Sequence, residues 1–452
     1  MSARPENAPP AIALEHIAEL SRAAGEDASL LALRQQAREL LSPLDLPDRA
    51  RHLWRYTTPA RFLPASDPTA GVAPTWRLEE QLSGATLLAG GALRTVELDE
   101  QARAAGVVIT DLHRANVAER LGSIVPASHG FVEAINAAAW RGGAFVHVPA
   151  GVVLEHPIRV RVVAGALELP RILVIAGEGS SFEVVEGHVG GDGANGQVLG
   201  VSEIFVGAGA DVRYGLVQRW DVRVVGHLTT RARVDAGAHF QFSLASFGGD
   251  TFKADLGAIL AGERASVETF GVAMGGEKQH FDHHTEHLHE SPKTHSNLDF
   301  KVALTGAARS AYTGMIRIAP GAAGSEAYQE NRNLLLSEDA RAESIPELEI
   351  LTDDVKCSHG ATVAPLDPEQ LFYLSSRGLP HGQAMRVIVY GFLDQTLHRL
   401  PQATRERIEA LVAARLHAEP YHVGQAPPAP PPPNTGGRAP GGAAPPQNWG
   451  GG

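Results

Sequence analysis

The amino-acid sequence predicts a mainly β protein with helical regions at both ends, and three patterns carry this prediction. Between about residues 139 and 364, short runs of alternating or β-branched residues follow one another with almost no helical periodicity. Turns rich in glycine and alanine divide these runs, as at residues 207–210 and 235–238. Before and after this region, apolar residues recur at helical spacing. The 452 residues are enough for a large core and more than one domain.

The N-terminal region, taken as residues 1–138, is predicted to begin with two helices. The first covers residues 15–23, and Pro43 ends the second. The apolar face of the second helix comprises Leu30, Leu33, Ala37, Leu40 and Leu41. Trp54 and Tyr56 then form an aromatic pair, which we interpret as packing this region on the rest of the chain; the alternative is stacking on a ligand. Residues 67–121 show a mixed pattern that predicts little.

The central region, taken as residues 139–364, fits a sandwich, a barrel or a β-solenoid. The recurrent small-residue corner favours the solenoid, because only small residues fit the bends where successive coils stack. A solenoid leaves open end coils, where a second copy or a related chain can add on. Strands are predicted within residues 143–152, 171–175, 202–206, 232–234, 240–244, 265–270, 297–304, 311–318 and 333–336.

The C-terminal region is predicted to form a small helical module over residues 365–423, followed by a tail. Residues 369–376 indicate a short helix, and two longer amphipathic helices follow it. Their apolar faces are Met385, Ile388, Val389, Phe392, Leu393 and Leu397 in one, and Ile408, Leu411, Val412 and Leu416 in the other. Such helices must pack on the β region or on another subunit. The Pro- and Gly-rich tail, residues 424–452, is predicted to be disordered.

The composition and motifs of the sequence argue against several classes of function. The net charge of −12 argues against a general nucleic-acid binder. The single cysteine excludes an internal disulfide, and with no secretion signal or long apolar run the sequence predicts a cytoplasmic protein without a membrane span. Neither a phosphate-binding P-loop nor a dinucleotide-binding glycine motif occurs, so we expect this chain to bind no nucleotide. Any ATP hydrolysis must come from a partner.

The only cysteine, Cys357, precedes His359 by two residues. In an extended strand the thiol and the imidazole point to the same face, where both can bind a soft or borderline metal. Lys356 and His359 are expected to lower the pKa of the thiol. The plainer interpretation is a small buried thiol beside a surface histidine. Cys–His nucleophilic catalysis is a further alternative, but no third catalytic group or oxyanion hole is evident.

A histidine-rich tract lies at residues 280–295 and contains six histidines. In a strand, His280, Asp282, His284 and Glu286 face one way, and Phe281, His283, Thr285, His287 and His289 face the other. His283, His287 and His289 are candidate ligands for an additional zinc or iron ion. The alternative, which we favour, is a solvated polar strand, because no known zinc-binding spacing occurs.

Several stretches of this sequence resemble the SufB/SufD family of the SUF iron–sulfur cluster assembly system. The resemblance covers roughly residues 50–400 and is densest towards the C-terminal side. It rests on WRYT at 54–57, GGAFVHVPAGVV at 142–153, QENRNLLLS at 329–337, PELEI at 346–350, DDVKCSHGATV at 353–363 and LFYLSSRG at 371–378. Two details differ from the usual family pattern: Ser375 stands where arginine is common, and the histidine tract is denser.

The resemblance implies a right-handed parallel β-helix between helical regions and a non-enzymatic scaffold role. It implies a complex with the paralogue SufB and the ATPase SufC, with a transient Fe–S cluster forming at the interface of the two β-helices. Cys357 and His359 match the interface residues of the family, and His359 is the expected ligand. ATPase docking is implied for the C-terminal module, at Leu371, Phe372, Arg377, Gly378, Met385 and Ile388.

The sequence is closer to the SufD branch of the family than to the SufB branch. SufB has a cysteine at about the place of residues 329–333, and this chain has none there. SufB also has Glu-His-Glu-Ala-Thr at the place of residues 357–361. Three alternatives remain: a homodimer in the absence of SufB, a SufB-like chain, and a free-standing β-helix enzyme acting on a metal or a polysaccharide. Few aromatic residues, 6% of the chain, are present to line a sugar groove.

Overall fold

The fold is mainly β: two parallel sheets form a solenoid of about eight turns, with helices at both termini. The structure, a computed structural model, describes residues 14–41, 46–47, 52–64, 82–190 and 195–418. The disordered tail predicted for residues 424–452 therefore lies outside the described residues, as does Pro43. The predicted fold class is confirmed, and the solenoid is the correct choice among the three β architectures.

The described residues contain nineteen strands and seven α-helices. The helices are α1 (Leu14–Ala24), α2 (Ala28–Leu41), α3 (Glu100–Ala104), α4 (Phe131–Ala139), α5 (Pro368–Ser376), α6 (His381–Leu397) and α7 (Gln402–Ala418). The first strands are β1 (Gly84–Ala89), β2 (Ala92–Leu98), β3 (Val108–Asp111), β4 (Gly143–Val148), β5 (Ile158–Val163), β6 (Arg171–Ala176), β7 (Ser181–Gly190), β8 (Gly196–Val206), β9 (Asp211–Trp220) and β10 (Val224–Val234). The remaining strands are β11 (His239–Ser246), β12 (Thr251–Leu260), β13 (Ser266–Gly275), β14 (His280–His289), β15 (His295–Leu304), β16 (Arg309–Ile318), β17 (Ser325–Leu335), β18 (Arg341–Ile350) and β19 (Val355–Pro365).

From β4 onward, consecutive strands alternate between the two sheets, and each strand pairs in parallel with the second strand along the chain. One sheet runs β19-β17-β15-β13-β11-β9-β7-β5-β1-β2, and the other runs β18-β16-β14-β12-β10-β8-β6-β4-β3. Thr251, His280, Arg309 and Arg341 occupy equivalent positions in successive turns, so one turn takes about 30 residues. The register keeps each inward-facing residue beside an inward-facing neighbour.

Small residues are required at the corners, as the sequence predicts, because the corner backbones stack directly on one another. The amide of Gly209 donates to the carbonyl of Ala236 in the next turn at 2.9 Å, and Gly237 has φ of +63°, a conformation that favours glycine. At Gly262, an added Cβ atom would lie 2.0 Å from the backbone nitrogen of Ala236. A side chain at that position would therefore separate two turns.

The two ends of the solenoid differ. At the first turn, β5 pairs with β1, which in turn pairs with the antiparallel β2, and β4 pairs with the antiparallel β3. These short strands cap the solenoid. At the last turn, β18 pairs only with β16 and β19 only with β17 within the described part of the chain. Within the described residues, the last turn thus presents two open edges and an uncovered interior.

The terminal helices pack on the outer faces of the two sheets. The N-terminal helices and α4 share an apolar cluster with β6 and β8, to which Phe131, Ile135 and Leu173 contribute. The C-terminal helices α6 and α7 pack Val389, Leu393 and Val412 on the other sheet. Trp54 stacks on His227 of β10 with ring centroids 5.8 Å apart, which confirms that it packs the N-terminal region on the β region.

Candidate functional site

The last turn of the solenoid carries the Cys357/His359 pair. β19 is confirmed as a strand, and its register places Cys357 beside Ala327 and His359 beside Gln329 on β17. Ala327 and Gln329 are buried and face the solenoid interior. Cys357 and His359 therefore point to the interior face of the last turn, as their spacing predicts. They are accessible because the described chain has no further turn to cover them.

The two side chains differ in exposure. Cys357 is half-buried against the apolar cluster of Ile316, Ile318 and Leu348, whereas His359 is exposed. Burial raises the pKa of the Cys357 thiol. Lys356 lies on the opposite face of β19, where its ammonium donates to Glu326 at 2.6 Å. The expectation that Lys356 and His359 lower the pKa of the thiol is therefore wrong.

The rim of this turn is apolar as well as open. Ile350, Leu351 and Val363 are large apolar side chains that remain 41–47% exposed. Val363 shares the interior-facing row of β19 with His359, because strand residues alternate between faces. Exposed apolar residues beside unpaired strand edges are typical of a surface that another chain covers.

The histidine tract forms β14, and its two predicted faces are confirmed. His284 and Asp282 lie on the outer face, where they meet Asp255 and Thr57. His283, His287 and His289 lie in the interior and are at most 1% exposed. The favoured interpretation of a solvated strand is wrong: most of the strand is buried.

Hydroxyl groups surround the three interior histidines. His283 Nε2 lies 3.0 Å from Ser246 Oγ, and His287 Nε2 lies 2.9 Å from Thr269 Oγ1. Both ring nitrogens of His289 contact hydroxyls, at 2.7 and 2.9 Å. Burial lowers the pKa of all three, to about 4, 3 and 4 in chain order. Three metal-ligating atoms do not come together here in the described structure, so the candidate metal site at these residues has no support from the geometry.

The residues predicted to dock an ATPase lie on α5, the turn after it, and α6. Phe372 is 75% exposed, Arg377 and Gly378 are exposed, and Leu371 and Ile388 are half-buried. Met385 is buried and does not belong to the exposed surface, because it shares one side of α6 with Val389 and Leu393, which pack on the solenoid. Sequence reasoning did not single out Tyr373, Val387 or Tyr390 for docking, although all three are exposed there.

A second polar cluster was not predicted at all. His129, Glu133 and Asp255 bring one ligand atom each to within 4.8 Å of one another. They come from the turn before α4, from α4 itself and from β12. Because more than 120 residues separate Asp255 from the other two residues, no local sequence pattern indicates the cluster.

The described helices include none that is both long and apolar enough to cross a membrane.

Comparison with known proteins identifies a protein family whose model matches about half of this chain. The family model described as SUF system FeS cluster assembly, SufBD core domain, matches residues 160–392. An iron–sulfur cluster assembly SufBD family protein of Staphylococcus epidermidis is 30% identical over 298 residues, which are 65% of this chain and 64% of that protein. A SufBD family protein of Mycobacterium leprae is 32% identical over 279 residues, 60% of this chain and 32% of that protein. The matches thus span less than two thirds of the relatives' own length.

The matched region contains most of the solenoid, the last turn with Cys357 and His359, and the first part of the C-terminal helices. The chain therefore belongs to the SufBD core-domain family of the SUF iron–sulfur cluster assembly system.

Proposed function

We propose that this chain is the SufD-like, non-catalytic subunit of an iron–sulfur cluster assembly complex. In this complex, the last turn of its solenoid pairs with a SufB-type paralogue and its C-terminal helices bind a SufC-type ATPase. The observation that carries the proposal is the open last turn, which places a thiol and an imidazole on an uncovered interior face. The first turn is capped, so the chain offers one end for solenoid pairing.

The ligand set of the last turn supports a shared site. Protein-bound clusters are commonly held by four ligands. Cys357 and His359 supply two ligand atoms, and they belong to no group of three among the described residues. The remaining ligands would come from the paralogue. Because the raised pKa of Cys357 disfavours its thiolate, the exposed His359 is the ligand of this chain that we propose for the nascent cluster.

The C-terminal helices suit a separate partner. Phe372 and Tyr373 on α5 and Val387 and Tyr390 on α6 are large apolar side chains that are 38–75% exposed. Exposed aromatic residues are enriched where one protein binds another. The sequence has no nucleotide-binding loop, so an ATPase would have to be a second protein.

Replacing Val363 with lysine is expected to abolish pairing with the paralogue, because the substitution introduces a charge into the interior-facing row of the last turn. The measurement is co-purification of this chain with a SufB-type paralogue and a SufC-type ATPase, followed by native mass analysis. Val153→Lys is the matched control, since Val153 is 65% exposed near the capped end. We expect a three-protein complex with the wild type and with Val153→Lys. Failure of the wild type to form it would contradict the proposal, and a wild-type homodimer would identify a second copy as the partner.

Replacing His359 with alanine is expected to leave the complex intact and to reduce its cluster content at least about tenfold, because one cluster ligand is lost. The measurement is anaerobic iron and sulfide analysis of the purified complex. Ser358→Ala is the matched control, because Ser358 lies on the opposite face of the same exposed strand. A His359→Ala complex with unchanged iron and sulfide would remove the ligand role.

A further inference from the structure

The outer face of β10, β12 and β14 meets the N-terminal region at a buried polar cluster, well separated in the fold from the last turn. Glu133 on α4 and Asp255 on β12 are 3% and 7% exposed. His129 lies in the short turn before α4, and its side chain is 28% exposed. Its Nε2 atom lies 2.8 Å from Oδ2 of Asp255. One ligand atom from each of the three residues lies within 4.8 Å of the other two.

Neighbouring groups fix the two carboxylates in place. Oδ1 of Asp255 accepts from the Arg231 guanidinium at 2.8 Å and lies 2.6 Å from His284 Nδ1, which leaves Oδ2 directed at His129. Glu133 accepts a hydrogen bond from the Thr229 hydroxyl through Oε1. Carboxylates that ligate metal ions are typically oriented by such outer hydrogen bonds.

We infer that His129, Glu133 and Asp255 form a binding site for a divalent first-row transition metal ion. One imidazole nitrogen and two carboxylate oxygens are a donor set that suits Zn²⁺, Fe²⁺, Co²⁺ or Mn²⁺. Ligand atoms on one ion lie at most about 4.2 Å apart, given bond lengths near 2.1 Å. The imidazole nitrogen of His129 and the carboxylate oxygen of Asp255 are already within that range at 2.8 Å, and all three atoms lie within 4.8 Å of one another. The partial exposure of His129 provides the path by which the ion enters.

The charges of the two carboxylates also favour a bound metal ion. Two buried carboxylates this close repel each other strongly in a medium of low dielectric constant. Arg231 compensates Asp255 through its Oδ1 atom, on the side away from His129. Glu133 contacts the Thr229 hydroxyl and lies 3.9 Å from His227 Nδ1. A dication bound by Glu133 and Asp255 would add positive charge beside Glu133 and would join α4 to the solenoid.

The test is titration of the metal-free full-length chain with Co²⁺, followed by visible absorption, and with Zn²⁺, followed by calorimetry. We expect one ion per chain at this site, and a rise in melting temperature on binding. His129→Ala and Glu133→Gln should each weaken binding about 100-fold or more, because loss of even an outer hydrogen-bonding partner costs 10–100-fold. His398→Ala, at an exposed histidine of the C-terminal region, should bind as the wild type does.

The variants also separate this site from Cys357 and His359. The double variant Cys357→Ser/His359→Ala should keep the ion, its absorption and its rise in melting temperature. Circular dichroism of His129→Ala, whose side chain is partly exposed, checks that the fold is intact. Absence of wild-type binding above that of His129→Ala would overturn the inference, and so would loss of binding in the Cys357/His359 double variant alone. Neither result depends on whether the chain assembles clusters.

Discussion

Acidification from pH 6.5 towards pH 4.5 is expected to destabilise the solenoid by several kcal/mol, because its interior holds three neutral histidines. His283, His287 and His289 are buried between the two sheets, and burial lowers their pKa values to about 4, 3 and 4. In the unfolded chain, these groups titrate near 6.5. The measurement is the free energy of unfolding by urea at several pH values, followed by circular dichroism.

The direction of this change in stability follows from proton uptake by the unfolded chain. Between pH 6.5 and about 4, the unfolded chain binds protons that the folded interior does not, so stability is fully present above pH 6.5 and falls as the pH drops. Each histidine contributes a slope of at most about 1.4 kcal/mol per pH unit. The total is comparable with the ~5–15 kcal/mol stability of a folded protein. Carboxylates with lowered pKa values, such as Glu26 at about 2, lose their contribution only below about pH 4.5.

Replacing His287 tests how much one of these histidines contributes to the pH dependence of the free energy of unfolding. His287→Gln should lower the pH dependence between 6.5 and 4.5 by up to about 1.4 kcal/mol per pH unit, the contribution of one histidine. The loss of packing that it causes is the same at each pH and does not affect the slope. His398→Gln, whose side chain is 64% exposed, should leave the slope unchanged. An unaltered slope in His287→Gln would mean that this histidine already carries its proton in the folded chain.

The histidine tract also shows which structural features a sequence pattern predicts and which it does not. Alternation along 280–289 correctly divides the side chains between two faces, because a strand has a period of two. It does not indicate that both faces are buried, one inside the solenoid and one under the N-terminal region. The same limit explains strands such as β5, β7, β9 and β12, which were not predicted. When both faces of a strand are covered, residues on both faces are buried, and polar and apolar residues need not alternate along the sequence.

Local geometry was predictable, and long-range geometry was not. The corner glycines and the terminal helices follow from rules within a few residues of sequence. The shared face of Cys357 and His359 follows from their spacing. The exposure of that face depends on whether another turn follows, and the burial of Met385 depends on which side of α6 meets the solenoid. Neither is contained in a local pattern, and the same holds for the pairing of Glu133 with Asp255.

Long-range contacts of another kind hold the N-terminal region to the solenoid through Glu203 on β8. The carboxylate is fully buried and accepts hydrogen bonds from the backbone amides of Gly122, Ile124 and Val125, at 2.8, 3.1 and 3.0 Å. It also accepts from the guanidinium of Arg171 at 2.8 Å. One side chain thus satisfies four buried or partly buried donors, three of which belong to the loop before α4.

Replacing Glu203 with alanine is expected to cost about 3–5 kcal/mol, because Arg171 would be left as a buried charge without its carboxylate and three amides without an acceptor. Urea unfolding at pH 7 measures the loss, and Glu178→Ala, at an exposed corner, should change stability by less than about 0.5 kcal/mol. In the double variant Arg171→Met/Glu203→Leu, the unpaired charge is gone but the three amides still lack an acceptor. Its stability should therefore lie between that of Glu203→Ala and the wild type. A double variant as stable as the wild type would show that the amides find other partners and that the ion pair alone set the cost.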